Sequence, residues 1–181
     1  MIVLVVSLLF DLDKLDFYDL IGASVIGIGI LLMGLGIFNL GEDRKLIPLA
    51  LGSAFATAGY SIIDGIGARV MGDAFAYVSW LLIFSAIFYV PVIFSIKGQS
   101  VFPKNRKQLS LGLLVGGTSF LTYAIVVWAM TQAPIAVVTA LRESSILFAV
   151  MIGYFFFGDR MTFNKILAAC VIVIGIVLTR Y

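Results

Sequence analysis

Two charged residues, Arg142 and Glu143, lie inside an apolar stretch that runs from Ile135 to Phe157. At about 1.5 Å per residue, such a stretch is long enough to cross a bilayer as a helix. A charge at the centre of a membrane costs about 2.5–3.5 kcal/mol, so charged side chains there normally face a protein interior or a water-filled cavity. The residue types suit a binding site in which Arg142 holds an anionic group and a carboxylate, Glu143 or Asp64, takes up a proton.

Other predicted helices carry polar or aromatic residues at a similar depth in the membrane: Asp64, Trp80 and Tyr123. Counted at about 1.5 Å per residue, these three lie roughly 7 to 10 Å from one membrane surface, and Arg142 lies roughly 13 Å from the same surface. Thr139 comes three residues before Arg142 and four before Glu143, which places the three side chains on one polar face of a helix. We take these six residues as the candidates for substrate binding.

Asp64 and Arg142 are predicted to be coupled, since their estimated depths differ by about 6 Å and an arginine side chain can cover that distance. Glu143 is the competing partner, although adjacent residues of a helix point about 100° apart and do not face each other. Two interpretations stay open and can coexist: an ion-pair network that ties helices together, or a substrate site. A third places Asp64 at the lipid interface. Tyr77 and Trp128 are predicted to lie in the aromatic belts at the membrane surfaces.

The composition indicates an integral membrane protein. Of the 181 residues, 62% are hydrophobic and 12% are charged, whereas a soluble domain is about half apolar and a quarter charged. We expect a cell membrane, either plasma or bacterial inner. A net charge of +2 gives no reason to expect nucleic acid as a partner. The chain has no histidine, and it has no Gly-x-Gly-Asp motif. We therefore expect no enzyme activity, no cofactor and no metal.

The apolar runs predict an all-α polytopic bundle of six membrane spans, preceded by a short apolar stub at residues 1–10. The spans cover approximately residues 17–40, 46–69, 74–96, 109–130, 135–157 and 163–179. In the first span, Gly22, Gly29 and Gly36 recur every seven residues, which places them on one face where another helix can approach closely. We expect the partner of this face to come from helices outside this chain.

The sequence contains a repeat. When the chain is shifted by 146 residues, ten of the 23 positions from 10 to 32 meet their own residue type, among them Asp13 with Asp159 and Gly29 with Gly175. From one copy to the next the chain advances by five predicted spans, from the first to the sixth, and this odd number gives the copies opposite orientations in the membrane. Inverted repeats of this kind are typical of secondary transporters.

The closing segment FFFGDRMTFNKILAACVIVIGIVL resembles the last two helices of EamA-type carriers of the drug/metabolite transporter superfamily. Their pattern is a helix that ends in Leu-Gly-Glu, a short turn and a glycine-rich final helix. Here Asp159 replaces the usual Glu, and Ala168 stands where Gly is common. The segments YSIIDGIGAR and ALRESS also look like those of an EamA subgroup.

The resemblance implies a ten-span fold made of two inverted five-helix repeats. Residues 1–40 would then be the end of the first repeat, a half helix plus one span, and residues 45–181 the complete second repeat of five spans. It also implies a secondary transporter of small metabolites or drugs that works by alternating access, of which this chain would be a fragment. The alternative is a non-transporting truncated bundle, or an assembly partner of another membrane chain.

The expected partners are an unidentified small molecule, the lipid bilayer, and a second chain or the first repeat. The orientation in the membrane stays open. Eight lysines and arginines lie in the loops of one side and three on the opposite side, which places the long loop at residues 97–108 in the cytoplasm. The family resemblance implies the reverse orientation.

Overall fold

A computed structural model describes residues 1–38, 46–98, 103, 105–158 and 162–179. These residues form helices and no strand. The helices are α1 (Ile2–Leu9), α2 (Phe17–Phe38), α3 (Leu46–Met71), α4 (Ala74–Lys97), α5 (Arg106–Gln132), α6 (Ile135–Glu143), α7 (Ile146–Phe157) and α8 (Phe163–Leu178). The predicted all-α membrane bundle is confirmed. Asp159 of the closing motif and residues 99–102 and 104 of the long loop lie outside the described residues.

The predicted spans agree closely with the helices. Four segments are long and apolar enough to cross a membrane: Pro48–Met71, Ala74–Lys97, Arg106–Gln132 and Ile135–Phe157. Two shorter apolar helices, in α2 and α8, stand at the positions of the first and sixth predicted spans. The stub forms α1. One difference concerns the fifth span, which is interrupted between α6 and α7.

The chain divides into two compact units, one made of Met1–Ile63 with Ala133–Tyr181 and one made of Asp64–Gln132. In the first unit, α2 packs along α8 and also against α6, while α1 packs on α6 and α2. In the second unit, α4 packs along α5. The predicted repeats, residues 1–40 and 45–181, are defined by the family resemblance and not by contacts within the chain, and this division stays a prediction.

The glycine face of α2 is covered by α8. A Cβ atom at Gly22 would lie 2.9 Å from the carbonyl oxygen of Gly175, and a Cβ at Gly29 would lie 2.6 Å from Cγ1 of Ile172. The predicted close approach is therefore confirmed at these two positions. The expectation that the partner would come from outside the chain is wrong, because the closing helix of this chain has small residues at the matching positions.

The N-terminus of α6 is capped by a side chain that is distant in sequence. Pro134 at the N-cap makes no side-chain capping bond, and the carboxylate Oδ2 of Asp13 accepts a hydrogen bond of 2.7 Å from the backbone N–H of Ile135. A carboxylate at a helix N-terminus satisfies an unpaired donor and interacts favourably with the helix dipole. Asp13 thereby fixes the connection between α1 and α2 to the start of the helix that carries Arg142 and Glu143.

Candidate functional site

The fifth span is broken directly after its two charged residues. The backbone N–H of Ser145 bonds to the carbonyl of Arg142 at 3.1 Å, which is the tighter i→i+3 pattern of a 3₁₀ turn. The hydroxyl of Ser144 donates to the carbonyl of Leu141 at 2.5 Å. Serine side chains compete in this way for helix carbonyls, and α6 ends and α7 begins at this serine pair. The span is thus interrupted by a tight turn at which both serines keep helical backbone angles.

Arg142 and Glu143 form an ion pair at this break. Nη2 of Arg142 lies 3.2 Å from Oε1 of Glu143, and the two side chains are 22% and 46% exposed. Cζ of Arg142 also lies 5.5 Å from the centre of the Tyr60 ring on α3, within the range of a cation–π contact. The expectation that adjacent helix residues would not meet is wrong here, because both side chains are long enough for their charged ends to reach each other.

Thr139 and Glu143 line a cavity of about 570 Å³ in the first unit. Its walls come from α1, α2, α3 and α6, and they are largely apolar apart from Ser53, Thr57, Thr139 and Glu143. Thr139 is 7% exposed, and its hydroxyl donates to the carbonyl of Ile135 at 2.7 Å. Ligand cavities typically have volumes of roughly 300–1,000 Å³, with mostly apolar walls and a few polar groups. This cavity fits that description.

The second unit holds a buried carboxylate. Asp64 on α3 is 4% exposed. The hydroxyl of Tyr77 on α4 donates to its Oδ1 at 3.0 Å, and the hydroxyl of Tyr123 on α5 donates to its Oδ2. The neighbouring core consists of small or medium-sized side chains, including Ala68, Val78 and Ala124, and α4 packs along α5. Depth counting placed Asp64 and Tyr123 in one layer, and the structure brings them together.

Tyr77 was missed by the sequence analysis, which placed it in an interfacial belt. Met71 ends α3 and Ala74 begins α4, with Gly72 at φ +76° between them. Such a short turn holds the first residues of α4 beside the last turns of α3. Tyr77 consequently lies beside Gly67, where an added Cβ would be 2.6 Å from its ring, and its hydroxyl reaches Asp64 one turn before Gly67 on α3. The length of the turn was the signal that could have identified it.

The remaining candidate, Trp80, is exposed on α4, where its ring stacks on Phe84 with the ring centres 5.8 Å apart. Trp128 is also exposed. The predicted coupling of Asp64 with Arg142 joins residues of different units and stays a prediction. Within the units, Asp64 bonds to Tyr77 and Tyr123, whereas Arg142 contacts Glu143 and Tyr60.

The comparisons with known proteins identify the family. The model of the EamA-like transporter family matches residues 44–181, a segment that contains α3 to α8. Comparison with curated proteins and with solved structures gave no match. The matched segment is well over half of the chain and includes every candidate site residue. The chain is an integral membrane protein that belongs to the EamA-like transporter family.

Proposed function

We propose that the protein works as a secondary transporter, or as part of one, that moves small metabolites or drugs across a cell membrane by alternating access. The observation that carries this proposal is the broken fifth span, with Glu143 and Thr139 on the wall of a cavity of about 570 Å³. A cavity of that size holds a small organic molecule. Family membership supports transport as the general activity.

The charges at the break suit a substrate that has an apolar body and an ionic group. Glu143 lines the cavity, and its carboxylate is neutralised by Arg142 at 3.2 Å. A cationic substrate would compete with Arg142 for Glu143, and Arg142 would keep its contact with the Tyr60 ring. An anionic substrate would compete with Glu143 for Arg142. In either case the ion pair would open on binding and close on release.

Alternating access requires parts of a transporter to move while they keep their internal packing. The pair of helices α2 and α8 can move as one part, because glycines bring the two backbones together at Gly22 and Gly175. Asp13 links the start of α6 to the α1–α2 connection within the same unit. The cavity-lining side chains of α2 and α6 are thus held on a closely packed frame.

The test is transport by the native polypeptide, purified and reconstituted in liposomes, with a panel of labelled metabolites and drugs. We expect saturable uptake of at least one compound. Arg142→Gln and Glu143→Gln should each reduce that uptake about tenfold or more, since a hydrogen bond to a charged group contributes about 1.5–3 kcal/mol. The control is Gly59→Ala on α3, where an added Cβ meets nothing within 4 Å. Uptake that is equal in all variants would reject the proposal.

A second candidate function is that of an assembly partner for another membrane chain or for a first repeat. It is favoured by α4, in whose most apolar window no residue is buried inside the described chain. Lipid covers such a surface equally well, so the mass of the native complex decides. A complex that contains a second protein chain, together with the absence of saturable uptake by this chain alone, would favour this candidate.

A further inference from the structure

Asp64 joins three helices through one carboxyl group. It lies on α3, with only 4% of its surface exposed, and each of its oxygens accepts a hydrogen bond from a tyrosine, Tyr77 on α4 and Tyr123 on α5. Both donors are uncharged phenols. The two bonds therefore satisfy the oxygens of the carboxylate without cancelling its negative charge.

The hydrogen bonds of this cluster depend on the protonation of Asp64. An ionised carboxylate only accepts hydrogen bonds, so both phenols can donate to it. A protonated carboxyl group carries one O–H donor and keeps its remaining acceptor capacity. A tyrosine hydroxyl can accept as well as donate, so the phenol that faces the protonated oxygen can turn and accept this O–H. One proton from water thus reverses one of the two hydrogen bonds by which α4 and α5 are held on α3, and removes the charge that strengthened the other.

A second link joins α3 to α5 independently of that proton. Nε of Arg69, near the end of α3, donates to the backbone carbonyl of Met130 near the end of α5, at 2.9 Å. The guanidinium stays charged at all ordinary pH values. Protonation of Asp64 would therefore change the bond to Tyr123 while the Arg69–Met130 bond holds the helix ends together.

The packing of Tyr77 shows that its position is specified. A Cβ at Gly67 would lie 2.6 Å from Cε2 of Tyr77 and 2.9 Å from both its Cζ and its hydroxyl oxygen. The tyrosine thus lies flat against the backbone of α3 because residue 67 has no side chain. The titratable groups that bond to Asp64 within the described part of this unit are Tyr77 from α4 and Tyr123 from α5. The charged residue nearest to Asp64 along α3 is Arg69, five residues later, whose Nε bonds to the carbonyl of Met130.

We propose that Asp64, Tyr77 and Tyr123 form a proton-binding site, in which a proton taken from water and returned to it by the Asp64 carboxyl group changes how α4 and α5 are held on α3. A negative charge within a membrane span is costly, and binding of the proton removes that charge. If the protein transports as proposed above, this site makes the proton its coupling ion. The site itself does not depend on that proposal.

The experiment is infrared difference spectroscopy of the purified protein between neutral and acidic pH, without substrate. We expect a carbonyl band of a protonated carboxylic acid to appear on acidification and to be lost in Asp64→Asn. Tyr77→Phe and Tyr123→Phe should each shift that band to higher frequency, because each removes a possible donor to the carbonyl. Tyrosine ring bands should change together with the carboxyl band, and that change should also be lost in Asp64→Asn. Tyr18→Phe, at an exposed tyrosine of α2, is the matched control.

Two results would overturn the proposal: a carboxyl band that persists in Asp64→Asn, or a band that has the same frequency in the wild type and in both phenylalanine variants. If Asp64→Asn does not fold, the two phenylalanine variants still decide. The outcome is separate from that of the transport assay. If the carboxyl band behaves as expected but no compound is transported, the proton site is retained and the transporter proposal is rejected. If a compound is transported but the band is absent, the transporter proposal is retained and the proton site is rejected.

Discussion

Gly29 and Gly175 make matching contacts across the pair of helices α2 and α8. A Cβ at Gly29 would lie 2.6 Å from Cγ1 of Ile172, and a Cβ at Gly175 would lie 2.7 Å from Cγ1 of Ile26. The 146-residue shift that relates the repeated segments converts Gly29 into Gly175 and Ile26 into Ile172. Exchanging the two repeated segments therefore exchanges the two contacts, so the same residues meet on both sides, as in the isologous interface of a two-fold dimer.

The order of these contacts gives the relative direction of the two helices. Gly22, early in α2, lies against Gly175 and Thr179, late in α8, whereas Gly29 lies against Ala168 and Ile172. Contacts that advance along one helix and retreat along the other belong to an antiparallel pair. Two copies of one segment that pack antiparallel are related by an axis perpendicular to both, which is the arrangement that an inverted repeat requires.

Gly175→Ala should destabilise the protein by about 1–3 kcal/mol, the usual cost of overpacking, because an added Cβ would lie 2.8 Å from the backbone nitrogen of Ile26. Thermal unfolding in detergent measures the effect. Gly112→Ala on α5 is the control, since a Cβ there meets nothing within 4 Å, and it should be neutral or stabilising. Equal unfolding temperatures for the two variants would contradict the close packing of α2 and α8.

The sequence predicted the helices well because their signals are local. Apolar runs, a proline in a first turn and glycines spaced by seven residues each act within one helix, and the ends of α3 and α4 came within two residues of the prediction. The partner of the Gly22–Gly29 face could not be predicted in this way, since it depends on which distant helix carries small residues at matching heights.

The candidate site was predicted in part, and the errors have physical causes. Depth counting placed Asp64 and Tyr123 in one layer, because the rise per residue of a helix is fixed. Tyr77 was assigned to a belt, because an amphipathic ring suits an interface as well as a buried carboxylate. The break after Glu143 was missed because it involves a serine side chain, Ser144, that bonds to a helix carbonyl, and hydropathy does not detect this.

Asp13→Ala should destabilise the protein by about 1 kcal/mol, the typical cost of losing a helix cap. Asp13 accepts the hydrogen bond of the Ile135 N–H at 2.7 Å, and Pro134 has no side chain that can replace it. The control is Asp11→Asn, since Asp11 has φ +49° and asparagine tolerates that conformation. Chemical or thermal unfolding in detergent compares the two variants, and identical stabilities would show that Asp13 does not cap α6.

Tyr60→Leu should weaken the placement of Arg142, whose Cζ lies 5.5 Å from the centre of the tyrosine ring. A cation–π contact at a partly exposed position contributes about 0.5–1 kcal/mol. Tyr60→Phe keeps the ring and is the matched control. Thermal unfolding should show a loss for leucine and little change for phenylalanine. If Tyr60→Leu lowers stability by the same amount in the Arg142→Gln background as in the wild type, then Tyr60 acts through something other than Arg142.

Asp64→Asn and Arg142→Gln should each lower stability, and the double variant should recover part of the loss, if the two residues are coupled as their sequence depths predict. Residues in contact show interaction energies of about 0.5–3 kcal/mol. Each residue also has partners in its own unit, Tyr123 for Asp64 and Glu143 for Arg142. A double-mutant cycle on thermal unfolding separates these effects. Strictly additive losses would mean that Asp64 and Arg142 do not interact, and that Glu143 or the substrate is the partner of Arg142.

Gly67→Ala and Gly59→Ala should have opposite effects, although both change the same residue type within α3. Alanine in a helix is ordinarily more stable than glycine by about 0.5–1 kcal/mol. At Gly59 an added Cβ meets nothing within 4 Å, so this gain should appear in full. At Gly67 the Cβ would lie 2.6 Å from Cε2 of Tyr77. The ring must then move and lose its bond to Asp64, with an expected loss of about 1–3 kcal/mol.

The cause can be tested by removing the ring. In a Tyr77→Ala background the clash at residue 67 is gone, so adding Gly67→Ala should now stabilise the protein by about 0.5–1 kcal/mol, the ordinary difference between alanine and glycine in a helix. This reversal of sign is specific to contact between Gly67 and Tyr77, because a general defect in α3 would persist in both backgrounds. Thermal unfolding of the four proteins in the same detergent measures it. If Gly67→Ala remains destabilising without the Tyr77 ring, then Gly67 is required by some other neighbour, and Tyr77 does not owe its position beside Asp64 to that glycine.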